Sequence, residues 1–325
     1  MTPVHPHRGG SPYLLLIVCF LIWSNSFTAT RALVGDVVPA GERLTARDFV
    51  EARFGPVALF CVGWFVALPG ARREARAILA AHPALVPALG LLAVWGYNLA
   101  FGTGHQRVSA GAGALITTLN PVLTYLLALA LGEERPAAAK LGGLALAFSG
   151  VYVVVVHGAG RAVEVAYLAD AGVMLLAPAS WAIYTVLSKP LLSGRSPLHL
   201  TFLVLGLGSL PALPLAALDT GLHEKVGHWG FERFGATLFL ALACTVLGYW
   251  LWYEALARLT SSNTAAFVFL NPPLALFFEW LWFDRLPAPG LLFGGAAVLV
   301  GVYLCLRRPR RGGRPAAAGV SGAAP

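Results

Sequence analysis

The chain repeats itself at an offset of 151 residues. Arg107, Leu119-Asn120-Pro121, Leu123, Pro136-Ala137, Gly143 and Gly150-Val151-Tyr152 recur as Arg258, Leu270-Asn271-Pro272, Leu274, Pro287-Ala288, Gly294 and Gly301-Val302-Tyr303. Over the 46 positions from Arg107 to Tyr152, 14 are identical, where a composition rich in Ala, Leu and Gly gives about a tenth by chance. The fold must therefore hold two copies of one unit, and the apolar stretches decide how the copies sit. Crossing the hydrocarbon core takes about 20 apolar residues, with a range of about 17 to 25. Ten stretches qualify: 12–30, 50–69, 84–102, 111–131, 139–157, 168–188, 198–217, 236–256, 264–283 and 289–306. Five per copy is an odd number, so the second copy threads the bilayer upside down relative to the first. The expected fold is all-α and integral to the membrane, ten transmembrane helices as two inverted five-helix repeats over 12–157 and 168–307. Inverted repeats of this kind are the architecture of secondary transporters, with a site near the midplane where the copies meet.

Composition agrees with a bilayer. Apolar residues are 58% of the 325 and charged residues 12%, against about 25% charged in soluble domains. The net charge of +8 does not imply nucleic acid, because five of the 23 basic residues sit in one stretch, Arg307, Arg308, Arg310, Arg311 and Arg314. A basic segment directly after an apolar helix is a cytoplasmic flank near anionic lipid, and 308–325 is expected to be a disordered tail. With the N-terminus inside, 14 Lys and Arg fall on the cytoplasmic side and 8 outside, so both termini are expected in the cytoplasm and the protein in the plasma membrane. Residues 1–30 have the look of a signal peptide, but the polar end Ser24-Asn25-Ser26 suits a retained helix. Cys19, Cys61, Cys244 and Cys305 lie in apolar stretches without metal-ligand spacing. No metal and no cofactor is implied.

Several residues in these spans are able to hold a substrate. Trp23, Ser26 and Thr30 share one helical face of span 1, and Trp181, Tyr184 and Ser188 share one of span 6; Arg31 and Lys189 end the two stripes. Span 4 carries Thr117, Asn120 and Thr124 at i, i+3 and i+7, with Pro121 in its middle. Proline frees a carbonyl one turn earlier, so this kink must face protein or a water-filled cavity. Span 9 repeats it with Asn271-Pro272-Pro273 but has Val268 and Ala275 in place of the two threonines. Span 3 offers Tyr97-Asn98, and span 8 offers Gly248-Tyr249, matching Gly96-Tyr97. Aromatic rings with polar edges suit planar or amphipathic small molecules. Trp250 and Trp252 read as lipid-facing anchors. Glu254 and Glu279 are the carboxylates well within spans and hence the candidates for proton coupling, although Arg258, one turn from Glu254, favours an ion pair. Arg53, beside Asp48 and Glu51, reads as part of an interfacial cluster, and Glu133 and Asp284 as turn-shaping residues.

The stretch Ala114-Leu115-Ile116-Thr117-Thr118-Leu119-Asn120-Pro121 running to Gly132-Glu133-Glu134-Arg135-Pro136 resembles the EamA domain of the drug/metabolite transporter superfamily. So do Trp23-Ser24-Asn25-Ser26-Phe27, Ser180-Trp181-Ala182-Ile183-Tyr184 and Leu251-Trp252-Tyr253. The resemblance covers about residues 12 to 307. It implies export of small metabolites such as amino acids or their derivatives. It also implies a central cavity lined by spans 1, 3, 4, 6, 8 and 9, which on this sequence points to Trp23, Asn25, Tyr97, Asn98, Thr117, Asn120, Trp181, Tyr184, Tyr249 and Asn271. The chain departs from the family pattern at Phe283-Asp284, where Gly-Glu is usual, and at Glu254, where relatives often carry a neutral or basic residue.

The expected partners are a small-molecule substrate and membrane lipid, with a homodimer as an option and no nucleic acid. A sugar-nucleotide or drug carrier of the same superfamily is the alternative, and it would want more cations near the cavity than Arg31 and Lys189. An integral-membrane transferase or hydrolase is disfavoured, since no Asp-rich motif, His-Glu-x-x-His or Gly-x-Ser-x-Gly occurs. Nor is there a phosphate-binding Gly-x-x-x-x-Gly-Lys loop for ATP. The chain is expected to be a carrier and not an enzyme.

Overall fold

The computed structural model describes residues 10–34, 38–39, 41–105, 115–154, 156, 168–283 and 289–307, and among them there are helices and turns but no strand. Helices α1 (Pro12–Val34), α2 (Ala46–Ala67), α3 (85–105), α4 (115–130), α5 (Ala138–Val153), α6 (Leu168–Ser188), α7 (197–218), α8 (231–256), α9 (261–283) and α10 (Pro289–Leu306) fall in order on the ten apolar stretches. Helix keeps every backbone hydrogen bond within the segment, which hydrocarbon demands. By length and composition α1, α2, α3, α7 and α8 suffice to cross a membrane, while Leu115–Ala130, Ala138–Val153 and Leu292–Leu306 are shorter apolar helices. The outer faces carry Leu59, Val66, Leu292 and Phe293, each more than 60% exposed. Such a surface is a liability in water and ordinary against lipid chains.

The links are built locally. Thr45 and Asp48 form a capping box at the start of α2, the Asp48 amide donating to Thr45 Oγ1 (3.2 Å) and the Thr45 amide to Asp48 Oδ2 (3.0 Å). A helix over Pro69–Ala81 buries Ala71, Ala75 and Ile78 on one face, at helical spacing, and leaves Arg72, Arg73 and Arg76 on others.

The helices pair in a reciprocal way. α1 packs on α8 and α3 on α6; α1 packs on α9 and α4 on α6; α2 packs on α8 and α3 on α7; α2 meets α7, α4 meets α9 and α5 meets α10. Exchanging α1–α5 with α6–α10 returns the same set of pairs. The α5–α10 pair is the most intimate. A Cβ added to Gly143 would lie 2.8 Å from the Gly301 carbonyl oxygen, and one added to Gly150 would lie 2.7 Å from that of Gly294. An early residue of α5 thus meets a late residue of α10 and the reverse, so these two helices run antiparallel. Only glycine permits that approach.

Candidate substrate site

Four helices lose regular geometry where they approach one another. α4 breaks before Asn120: Leu119 bonds back to Ile116, and regular helix restarts at Asn120–Ala130 with proline in its first turn. α9 does the same, passing through a 3-10 turn at Phe267–Leu270 before restarting at Asn271–Phe283. α3 carries a π stretch at Leu92–Gly96, which ends on the glycine of Gly96-Tyr97, and α8 one at Phe239–Leu247, which ends just before Gly248-Tyr249. Proline accounts for the first pair of breaks. Wide π turns add a residue to the helix and commonly accompany functional positions. Gly248 also makes room for a ring of α1, since a Cβ there would sit 2.3 Å from Trp23 Nε1.

Between these breaks lies a cluster of aromatic rings. Trp181, 6% exposed, is its hub, with ring centroids 5.4 Å from Trp23, 5.6 Å from Tyr97, 5.1 Å from Tyr184, 5.1 Å from Tyr249 and 5.6 Å from Trp252. Most of these contacts are edge-on, the arrangement ring quadrupoles favour. Trp23 Nε1 donates to the Cys244 carbonyl in the α8 π stretch (2.7 Å), and Tyr249 Oη to the Ala93 carbonyl in the α3 π stretch (3.3 Å). The looser backbone of each π turn therefore supplies the acceptor that holds a ring from another helix. Tyr253 donates to Ser188 Oγ (2.7 Å) and stacks on Tyr184.

The two asparagines of the breaks reach across to the first helix of the other copy. Asn120, buried, donates to the Pro178 carbonyl of α6 (3.1 Å), one turn before Trp181. Asn271 Oδ1 accepts from Ser24 Oγ of α1 (3.2 Å). Among the described residues Asn120 Oδ1, Thr124 Oγ1 and Trp252 Nε1 are buried without a hydrogen-bond partner, which leaves polar capacity beside the rings. Thr117 is half-buried in the turn before the break.

Other expected residues stand apart. Asn98 turns back on its own helix, its Nδ2 donating to the carbonyls of Val94 (2.7 Å) and Ala93 (3.4 Å). Asn25 donates to Leu21 (2.9 Å) and lines a groove of ≈ 660 Å³ on the flank between α1 and α8, with Ile22, Thr28 and Phe239. Its counterpart, ≈ 440 Å³, opens between α3 and α6 beside Trp95 and Ser180. Glu254 pairs with Arg258 (2.8 Å) and accepts from Trp250 Nε1 (3.2 Å). The side chains of Glu279 and Arg31, and all of Asp284, lie outside the described residues. Trp252, read from sequence as a lipid anchor, is fully buried among the rings. The signal for it was present: Trp252 and Tyr253 follow Tyr249 by three and four residues, on the same helical face.

At one end of this seam the α4–α5 turn closes on α9. Glu133 accepts from the Ser261 amide (2.9 Å) and hydroxyl (2.7 Å), and Glu134 from the Ser262 amide (3.1 Å) and hydroxyl (2.6 Å). Lys140 bridges Glu134 and Ser262. Two carboxylates on a helix N-terminus complement its exposed amides and its dipole. Burial pushes the Glu134 carboxyl up, but the Lys140 ammonium and the Ser262 bonds outweigh it and hold it below the ordinary carboxylate value. Lys189 caps the Leu256 carbonyl that ends α8 and the Leu259 carbonyl of the turn after it; burial lowers its pKa, against the opposing pull of Glu133. Glu133 is more than a turn former, since it ties the copies together.

A lipid-facing helical bundle with paired helix breaks around a ring-lined seam defines a membrane transport protein. Comparison with known proteins gives the family. The chain matches the EamA-like transporter family twice, over residues 10–156 and 171–307, and belongs to it. It is 30% identical to a probable terminal-alkyne amino-acid exporter of Streptantibioticus cattleyicolor, covering 90% of this chain and 92% of that one. It is 28% identical to an uncharacterized transporter of Archaeoglobus fulgidus, covering 90% and 96%. A protein of known crystal structure shares the fold with a TM-score of 0.67 at 16% identity, over 91% of this chain and 96% of that one. The protein is thus a multi-pass membrane transporter of the drug/metabolite type, and not an enzyme.

Proposed function

We propose that the protein is a secondary carrier of the plasma membrane that exports small metabolites of the amino-acid type. In this reading ten spans form two inverted five-helix copies, both termini are cytoplasmic, and the copies rock against each other around the ring-lined seam. The carrying observation is that α4 and α9 both break before Asn-Pro and α3 and α8 both turn π next to Gly-Tyr, all beside one aromatic cluster. Interrupted helices in corresponding places of two halves are the mark of a midplane binding site. The reciprocal helix pairs and the antiparallel α5 and α10 support the inversion. The relative described as a probable amino-acid exporter supports the substrate class.

Substrate contact is assigned to Trp23, Tyr97, Asn120, Trp181, Tyr184 and Tyr249 at the seam, with Thr117 and Asn271 beside the breaks. Asn25 and Asn98 would join only after a movement that turns them from their own helices. The sugar-nucleotide alternative loses support because Lys189 is occupied by the carbonyls of Leu256 and Leu259. Proteoliposomes loaded with amino acids test the reading. Saturable flux without chemical conversion is expected; a lack of flux across a broad panel, or conversion of substrate, ends it. Labelling that finds residues 103–110 and 257–263 in the same compartment ends the inverted topology.

A further inference from the structure

The start of α2 separates charges that look like one cluster in the sequence. Asp48 is engaged by Lys225 and by the Thr45 cap, and Glu51 by Arg47. Arg53 turns from both. Its Nε donates to Thr245 Oγ1 (3.0 Å), and its guanidinium carbon lies 5.2 Å from the Phe54 ring and 5.9 Å from that of Phe49. Among the described residues no carboxylate stands within ion-pair distance of it. Thr245 is fully buried near the middle of α8, inside the π stretch, next to the Cys244 carbonyl that holds Trp23 and one turn before Tyr249. A guanidinium has five N–H donors, and among the described residues one of them is used on an oxygen.

An intramembrane cation is costly and is kept for a task. Rings on two sides and a threonine hydroxyl hold this one in place without neutralising it. We propose that Arg53 is the carboxylate-binding residue of the substrate site, taking the carboxylate of an aromatic or long apolar amino acid whose side chain rests against Trp23, Tyr97 and Tyr249. The inference rests on the carrier reading above and sharpens its substrate class. The planar fork of arginine matches a carboxylate in a bidentate way, and one cation balances one negative charge. α7, which stands where α2 stands in the other copy, has no Lys, Arg, Asp or Glu over 197–218. The carboxylate end of the seam is therefore one-sided, and the substrate binds in one orientation.

The test compares wild type, Arg53→Gln and Arg53→Lys, each purified as a monodisperse species, for binding of L-phenylalanine and L-phenylalaninamide by tryptophan quenching and for flux in proteoliposomes. Arg53→Gln is expected to weaken L-phenylalanine by about tenfold or more, the worth of a charged hydrogen bond, and to leave the amide unchanged or tighter. Arg53→Lys falls between. Equal binding of L-phenylalanine by Arg53→Gln and wild type overturns the assignment, as does an equal loss for acid and amide, which marks a structural role. So does a folded wild type that binds none of L-phenylalanine, L-tryptophan and L-leucine. Wild type that binds through Arg53 but moves nothing would end the carrier reading and keep the assignment. Flux that survives Arg53→Gln intact would do the reverse.

Discussion

The two copies agree in backbone and differ in side chains. α4 and α9 break at the same Asn-Pro, yet α4 carries Thr117 and Thr124 where α9 carries Val268 and Ala275. α3 and α8 share a π stretch next to Gly-Tyr, yet only α8 adds Trp252 and Tyr253 behind its tyrosine. α2 brings Arg53 to the middle of α8, while α7 brings no charge to α3. In the proposed carrier, symmetric breaks would let two halves hinge in equivalent ways, and asymmetric linings would give a substrate a head and a tail. Duplication explains the first. Divergence after it explains the second, because a cavity with identical halves would have to accept every ligand in two orientations.

The largest expected effect tests the backbone side of this comparison. Gly150→Leu and Gly294→Leu would each drive a side chain into a carbonyl oxygen already within 2.7 Å of an added Cβ. The backbone of a helix has no rotamer to give, so the cost should exceed the usual about 1 to 3 kcal/mol of overpacking. Both variants should lose the monodisperse peak in detergent, and to the same degree. One of them folding normally would break the equivalence of α5 and α10.

Next comes the tie between the α4–α5 turn and α9. Removing one partner of a buried ion pair costs about 3 to 5 kcal/mol, and the Glu134 and Lys140 side chains are 6% and 13% exposed. Partial exposure and the serine bonds that remain place Glu134→Gln near the low end. The Glu134 carboxyl titrates below its ordinary 4.5 in the folded state. Its stabilisation is therefore complete above that pH and is lost as pH falls through the lower folded value. Melting curves of wild type should be flat above about pH 5 and fall in acid, and Glu134→Gln should be lower throughout with a weaker acid slope. An unchanged melting temperature at neutral pH would show that the turn does not hold the copies together.

Smaller still is the difference between the asparagines. Asn120→Ala removes a bond to Pro178 beside the hub tryptophan, and Asn271→Ala removes one to Ser24. A net hydrogen bond is worth about 0.5 to 1.5 kcal/mol, or up to about tenfold in rate if it acts only in transport. Asn120→Ala should lose most of that factor in flux with normal insertion, and Asn271→Ala clearly less, since the α9 side offers fewer polar groups. Equal losses would show that both asparagines only support the kinks.

These asymmetries mark what a sequence makes visible. Apolar length, the paired Asn-Pro breaks and the recurrence of Gly-Tyr are local patterns, and each is legible without coordinates in space. Partner choice is not local. Arg53 lies two residues from Glu51 and five from Asp48, so neighbours in the chain suggested a cluster, but Arg47 and the distant Lys225 claim those carboxylates. Trp252 obeys the same rules of composition as a tryptophan at the lipid interface, and only the packing of α1 and α6 against α8 decides between them. Asn98 lies next to Tyr97 in sequence, yet it turns back to the Val94 and Ala93 carbonyls of the π stretch on its own helix.

The smallest expected effect concerns Glu254, the carboxylate that the sequence offered for proton coupling. It sits one turn from Arg258 on α8, 2.8 Å from its guanidinium, with the Trp250 indole on the other oxygen. A proton carrier must exchange its proton with a pathway, and a carboxylate held by a cation and an indole has its charge satisfied in place. Helical pairs of this spacing contribute about 0.3 to 0.5 kcal/mol when exposed, and this one is 15% and 19% exposed, so Glu254→Gln should cost little more. Flux measured from pH 5.5 to 8 should keep its shape in that variant, with a change of less than about twofold in rate. A flattened profile would instead move Glu254 into the coupling path, and would give α8 a second asymmetric task beside the one its π stretch already serves.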